Sequence, residues 1–200
     1  SKDAPIELIL PSLYSELEGA ALKNIVSCLS SVKYLNHIII GLDKADKSEF
    51  IKAKKFFSNL NQPHSVIWND SPKMQTLNSD FKKLGIAPNQ SGKGKNVWYC
   101  LGYTYSRNEA GSVALHDCDI TTYNRELLAR LVYPVSNPHF NYEFCKGYYP
   151  RIREGTLSGR VTRLLVTPLL KTFKKVLGHR DYIEFIDCLL YTSDAADEQF

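Results

Sequence analysis

An alternation of two patterns limits what this chain can fold into. Apolar runs at residues 6–10, 37–43 and 65–68 are too short for helices, and stretches with helical spacing at residues 15–32 and 48–60 lie between them. In the first of those stretches Leu17, Ala20, Ala21, Leu22, Ile25, Val26 and Leu29 share one broad face, and Ser15, Glu16 and Glu18 supply its start signals. A strand that is apolar throughout is buried on both faces. Strands joined through helices at this spacing run parallel in one sheet. The pattern continues with predicted helices at 72–84, 96–106 and 124–132, a strand at 112–116, a strand at 141–149, and a helix at 161–177 interrupted by Pro168. Residues 85–95 read as a loop, and Trp98, Tyr99, Tyr103 and Tyr105 as helix core. The expected fold is α/β: a Rossmann-like α/β/α sandwich with a mainly parallel sheet.

Composition narrows the classes. With 200 residues, 44% of them hydrophobic, the chain can build one real core. The net charge of +4 is spread along the chain, which argues against a nucleic-acid stripe. No apolar stretch is long enough to span a bilayer, and no signal peptide precedes the first strand. Cys28, Cys100, Cys118, Cys145 and Cys188 stand singly and form no CxxC pair. Reduced, mostly buried thiols and a cytoplasmic location are therefore expected.

The run from Cys188 to Glu198 reads as Cys-Leu-Leu-Tyr-Thr-Ser-Asp-Ala-Ala-Asp-Glu. It is one reading frame of a transposon end used in preparing DNA libraries. Residues 188–200 are therefore expected to be an adapter-derived tail, and residues 1–187 an incomplete domain lacking its C-terminal part.

Ligands of open α/β sheets collect at the carboxyl ends of the strands, and the polar clusters fall there. Asp117-Cys118-Asp119 follows the 112–116 strand directly. One such carboxylate can meet a ribose or sugar hydroxyl and the other a divalent cation, since Mg²⁺ and Mn²⁺ prefer oxygen ligands. The plainer reading of the same triplet is a solvated turn. Gly92-Lys93-Gly94-Lys95 offers close backbone approach and ammonium groups for phosphate without Walker A spacing. The bland alternative is a flexible basic loop. Gly159-Arg160-Val161-Thr162 opens a predicted helix, where a guanidinium, a hydroxyl and free backbone N–H groups converge on an anion or merely cap the helix. Asp43 either bonds a nucleotide or caps the next helix, and His116 reads as a packed strand-end histidine.

Together these segments resemble the retaining glycosyltransferases that make glucosyl-3-phosphoglycerate, with mannosylglycerate synthases as close relatives. The resemblance runs from Leu8 to about Leu177. Pro11-Ser12-Leu13-Tyr14-Ser15-Glu16 looks like the family's first nucleotide-binding loop, and Gly92-Lys93-Gly94 like the loop that reaches uridine and diphosphate. Asp117-Cys118-Asp119 stands where the family has its DxD. Lys146-Gly147-Tyr148-Tyr149 and Gly159-Arg160-Val161-Thr162 look like acceptor-side segments. The run Gly41-Leu42-Asp43-Lys44-Ala45-Asp46 departs from the family's Ser-, Gly- and Thr-rich loop.

The resemblance implies a GT-A type fold and a transfer of hexose from a nucleotide-diphosphate sugar, UDP-glucose or GDP-mannose, to a small phosphorylated acid such as 3-phosphoglycerate. It implies donor contacts from Pro11, Leu13, Glu16, Asp43, Gly92, Lys93 and Asp117. Asp117 and Asp119 are the implied catalytic carboxylates, with Asp119 on Mg²⁺ or Mn²⁺. Gly159, Arg160 and Thr162 are the implied acceptor contacts. The family's further metal ligand, a histidine, comes from a C-terminal segment beyond Asp187, so this chain is expected to be inactive. A homodimer is compatible with the sequence. Two other readings stand beside this one: a nucleotidyltransferase, whose Gly-rich first loop Pro11–Glu16 lacks, and a non-catalytic nucleotide-sugar-binding fragment.

Overall fold

The structure is a computed structural model that describes residues 5–88, 90–147, 152–153, 156–157, 162–178, 180 and 183. It divides into two compact units, Ser1–Glu143 and Phe144–Phe200.

In the first unit the strands are β1 (Ile6–Leu13), β2 (Leu35–Asp43), β3 (His64–Trp68) and β4 (Ser112–Leu115). They form one sheet in the order β3-β2-β1-β4 with every pairing parallel. All four carboxyl ends therefore lie along one edge. The helices are α1 (Ala20–Ser30), α2 (Lys47–Phe57), α3 (Pro72–Lys83), α4 (Lys93–Arg107) and α5 (Arg125–Ser136). The α/β sandwich expected from the sequence is borne out.

Alternation within the strands builds two cores. Leu8, Leu10, Ile38, Ile40 and Leu42 face one side, where Leu22, Ile25 and Leu29 of α1, Ala53 and Phe57 of α2 and Leu128 of α5 cover them. Each such buried Leu, Ile or Phe side chain contributes about 1.5–3 kcal/mol. Ile9 and Ile39 face the other side and pack on Cys100 of α4. The amino end of that face is polar. Glu7, fully buried, takes Arg107 Nε at 3.2 Å, His37 Nε2 lies 2.9 Å from Ser65 Oγ, and Ser65 Oγ lies 3.0 Å from Tyr103 OH. These contacts fix the C-terminal half of α4 over the sheet.

Several local expectations are corrected. β1 does not stop at Pro11 but runs on to Leu13. The Ile9 carbonyl turns toward β4, accepting from His116 N–H at 3.5 Å, so Pro11 two residues on presents the same side. There β4 has already ended at Leu115, and the missing N–H costs no ladder bond. Ser15, Glu16 and Glu18 do not begin α1. They form a 3-10 turn, Tyr14–Glu18, closed by Gly19 N–H to Glu16 O at 3.0 Å, and α1 starts after extended Gly19. α4 starts at Lys93 rather than residue 96, because Gly92 at φ 127° takes a backbone shape that other residues avoid and turns the chain into the helix early. Tyr99 is buried, but Tyr105 on the same helix is 87% exposed and is not core.

In the second unit, residues 144–147, with 141–143 before them, form no strand. Tyr142 and Phe144 alternate as in a strand but stay exposed, and no ladder partner for this run occurs among the described residues. The unit holds a two-residue antiparallel pair, β5 (Ile152–Arg153) with β6 (Thr156–Leu157). A π turn (Thr162–Val166) follows, then α6 (Thr167–Leu177). Pro168 sits in the first turn of α6, where its absent N–H is harmless, and does not interrupt the helix. The 188–200 tail lies outside the described residues.

Candidate functional site

At the carboxyl edge of the sheet each strand hands over to a polar turn. After β1, the Glu16 carboxylate folds back and accepts the Leu13 N–H at 2.8 Å. Burial raises the Glu16 carboxyl above its usual range. The Leu13 N–H and Ser12 oppose that rise, Asp119 adds to it, and Lys93 offsets it. Glu16, Asp119 and Lys93 thus share one electrostatic neighbourhood. Leu13 pairs in register with Asp43, and buried Pro11 with Gly41.

Asp43 ends β2. It does not cap α2, whose cap is Asp46 accepting Glu49 N–H at 2.8 Å. Instead Asp43 Oδ1 accepts from Asn69 Nδ2 at 2.7 Å, just past β3. Burial raises the Asp43 carboxyl, with Asn69 the main opposing influence. Asn69 N–H also reaches Leu42 O at 3.0 Å, and Asp70 Oδ2 accepts Ala45 N–H at 3.0 Å. Trp68 stacks on Phe50 at 5.1 Å and donates its indole N–H to Ala45 O at 2.8 Å.

Helix α4 enters the same edge by its N-terminus. Gly92 leads into Lys93, whose ammonium is ion-paired with Asp117 Oδ1 on the loop after β4. Lys95 lies over the Tyr99 ring at 5.7 Å. One turn in, Asn96 is buried and donates to Gly41 O at 2.8 Å.

The β4 loop is held by His116. The ring is buried and its pKa lowered by that burial; Nδ1 lies 3.0 Å from Asp117 O and Nε2 3.1 Å from Tyr123 OH. His116 is thus a packed scaffold residue, as its sequence context indicated. Cys118 points inward, buried, with its thiol pushed well above the usual value by burial, so it remains protonated and unreactive. Of its two neighbours in the chain, Asp117 is half-buried and Asp119 is exposed.

Pro11, Leu13, Glu16, Asp43, Gly92, Lys93, Asp117 and Asp119 therefore all lie on or next to the elements of this one edge. Thr162 opens the π turn of the second unit, and Gly159 and Arg160 lie outside the described residues. Among the described residues no three His, Cys, Asp or Glu side chains converge closely enough to hold a metal ion. The carboxylates of the DxD are the oxygen donors that Mg²⁺ or Mn²⁺ prefers, but they need further ligands from elsewhere. Sequence reading missed Asn69 and Asn96. The signal for Asn96 was the lone Gly41 within an Ile-rich strand, which marks a close approach; Asn69 carried no signal beyond its turn.

An all-parallel sheet with its acidic residues, its lysine and a glycine-led helix N-terminus along the carboxyl edge defines the α/β proteins that bind ligands at that edge. Comparison with known proteins is more particular. The chain is 44% identical over 191 residues to glucosyl-3-phosphoglycerate synthase of Persephonella marina, covering 96% of this chain and 47% of the relative. It is 37% identical to the protein of the same name from Methanococcoides burtonii, over 94% of this chain and 46% of the relative. The chain is thus a homologue of glucosyl-3-phosphoglycerate synthases over nearly all its length and spans about half the length of these relatives. A crystal structure of the Mycobacterium tuberculosis glucosyl-3-phosphoglycerate synthase with Mn²⁺, UDP and glucosyl-3-phosphoglycerate aligns at TM-score 0.49 and 19% identity, over 88% of this chain and 52% of that one. No protein-family model matches.

Proposed function

We propose that this chain carries the donor half of a metal-dependent retaining glycosyltransferase that moves glucose from a nucleotide-diphosphate sugar to 3-phosphoglycerate. The relatives' shared name supports the glucose and the acceptor. The observation that carries the reading is the contact of Lys93 with Asp117, which joins a helix N-terminus to a DxD at the edge where Glu16 and Asp43 also stand. UDP-glucose is the first donor to test, with GDP-mannose as its rival.

Each residue has a proposed task. Lys93 and the α4 backbone N–H groups meet the diphosphate. Glu16, Leu13 and Asp43 border the nucleoside, with Asn69 holding the Asp43 carboxylate in place. Asp117 orients ribose or donor sugar, and Asp119 holds Mg²⁺ or Mn²⁺. The cation, when bound, neutralises charge that develops on the departing diphosphate. Arg160 and Thr162 grip the acceptor phosphate. No general base is assigned, since a front-face attack assisted by the leaving phosphate requires none. Free thiols at Cys28, Cys100, Cys118 and Cys145 accord with a cytoplasmic setting, and among the described residues no helix is long and apolar enough to cross a membrane.

The second reading is a non-catalytic nucleotide-sugar-binding module, for which donor would bind to these 200 residues without being turned over. The test is a paired assay with UDP-glucose, 3-phosphoglycerate and Mg²⁺ or Mn²⁺, using the Persephonella marina relative as control. The expected result is product from the control, and donor binding without product from this chain. Absence of nucleotide-sugar binding by this chain would reject the donor-site reading.

A further inference from the structure

We propose that Lys93 is the resident counter-cation of the Asp117 carboxylate and passes to the donor's diphosphate on binding, so that nucleotide and divalent cation bind cooperatively. This rests on the donor-site reading above and adds to it a rule for how the two ligands influence one another.

Three features of the edge support it. First, the Lys93 ammonium is committed to Asp117 Oδ1, the carboxylate that must accept a donor hydroxyl. Both side chains keep contact with solvent, 45% exposed for Lys93 and 33% for Asp117, so the pair can part without opening the core. Second, Glu16 lies within electrostatic reach of both Lys93 and Asp119. The ammonium paired with Asp117 is therefore felt at Glu16 as well, and a divalent cation approaching alone meets a positive charge already in place. Third, Lys93 stands in the first turn of α4, where backbone N–H groups without helical partners favour an anion. Lys95, the neighbouring ammonium, lies over the Tyr99 ring and is not the group facing Asp117.

A diphosphate arriving at the N-terminus of α4 gives Lys93 a second, more highly charged partner. Transfer of the ammonium frees Asp117 for the donor's hydroxyls. It also cancels the charge that opposed the cation at Asp119. Linkage requires the converse: a bound cation lowers the affinity of the ammonium for Asp117 and so favours its move to the phosphate.

The test measures Mn²⁺ affinity by water-proton relaxation in the 200-residue chain, with and without saturating UDP, for wild type, Lys93→Met and Lys93→Arg. Lys93 is exposed, and a thermal melt confirms that each variant is folded. Without UDP, Lys93→Met is expected to bind Mn²⁺ roughly two- to fivefold more tightly, the range open to a partly exposed ion pair. Lys93→Arg should match wild type, and the factor by which UDP tightens Mn²⁺ should shrink in Lys93→Met alone. Unchanged or weaker Mn²⁺ binding by Lys93→Met without UDP overturns the proposal while leaving the donor site standing. Failure of the wild type to bind UDP with Mn²⁺ overturns both.

Discussion

The carboxamide of Asn96 donates to the carbonyl oxygen of Gly41 at 2.8 Å, and a Cβ on Gly41 would lie 1.8 Å from Asn96 Oδ1 and 2.5 Å from Cys100 Sγ. Helix α4 therefore rests directly on the backbone of β2. This contact sets the height of the α4 N-terminus, and with it Lys93, over the sheet edge.

Gly41→Ala is accordingly expected to destabilise the fold by about 1–3 kcal/mol, the usual cost of forcing an extra methyl into a packed core. Urea denaturation measures it. Asn96→Ala in the same chain should recover part of the loss, because it removes the nearest clashing atom. An unchanged midpoint for Gly41→Ala would mean that α4 does not sit so close.

Glu16 gives a pH signature. Burial raises its folded carboxyl above the usual 4.5. A carboxyl raised on folding binds its proton more tightly in the native state, so its contribution to stability falls as pH rises through the window from 4.5 to the folded value. Glu16→Gln keeps an acceptor for the Leu13 N–H and removes the titration. The stability of wild type relative to Glu16→Gln should therefore decline as pH rises from 4.5 through the folded value. A relative gain over that window contradicts the burial of this carboxylate.

His116 has the opposite sign. Burial lowers its pKa below 6.5, so the unfolded chain takes up the proton first and stability is lost as pH falls through 6.5 toward the folded value. NMR titration should show the ring neutral at pH 6.5. Tyr123→Phe, which removes the partner 3.1 Å from Nε2, should cost about 1 kcal/mol and loosen the DxD loop.

On the acceptor side, Arg160→Ala should weaken 3-phosphoglycerate by roughly ten- to a hundredfold and leave nucleotide affinity little changed, since a charge-assisted bond is worth about 1.5–3 kcal/mol. Competition binding with each ligand separates the two. Equal loss for both ligands would place Arg160 in the donor site or in the scaffold.

The sheet was legible because its strands are apolar on both faces, and a parallel sheet puts whatever follows each strand at one edge. That logic placed Glu16, Asp43 and Asp117 together without any knowledge of contacts. It did not place β1 past Pro11, because the harmlessness of that proline depends on β4 ending at Leu115, opposite Ile9, a register fact. Nor did it show Asn69 or Asn96, whose partners lie 26 and 55 residues away in the chain. Over residues 141–147, the described part of the strand expected at 141–149, no strand forms for a related reason: alternation in Tyr142 and Phe144 defines a strand only where a ladder partner exists.

The central claim is a metal-dependent nucleotide-sugar site at the carboxyl edge of the sheet. Its most direct test is calorimetric titration of UDP-glucose into the 200-residue chain with Mn²⁺, without Mn²⁺, and with Mn²⁺ into Asp119→Ala. Binding that needs Mn²⁺ and is lost in a folded Asp119→Ala variant is the expected result. Affinity that is the same in all three titrations would contradict it.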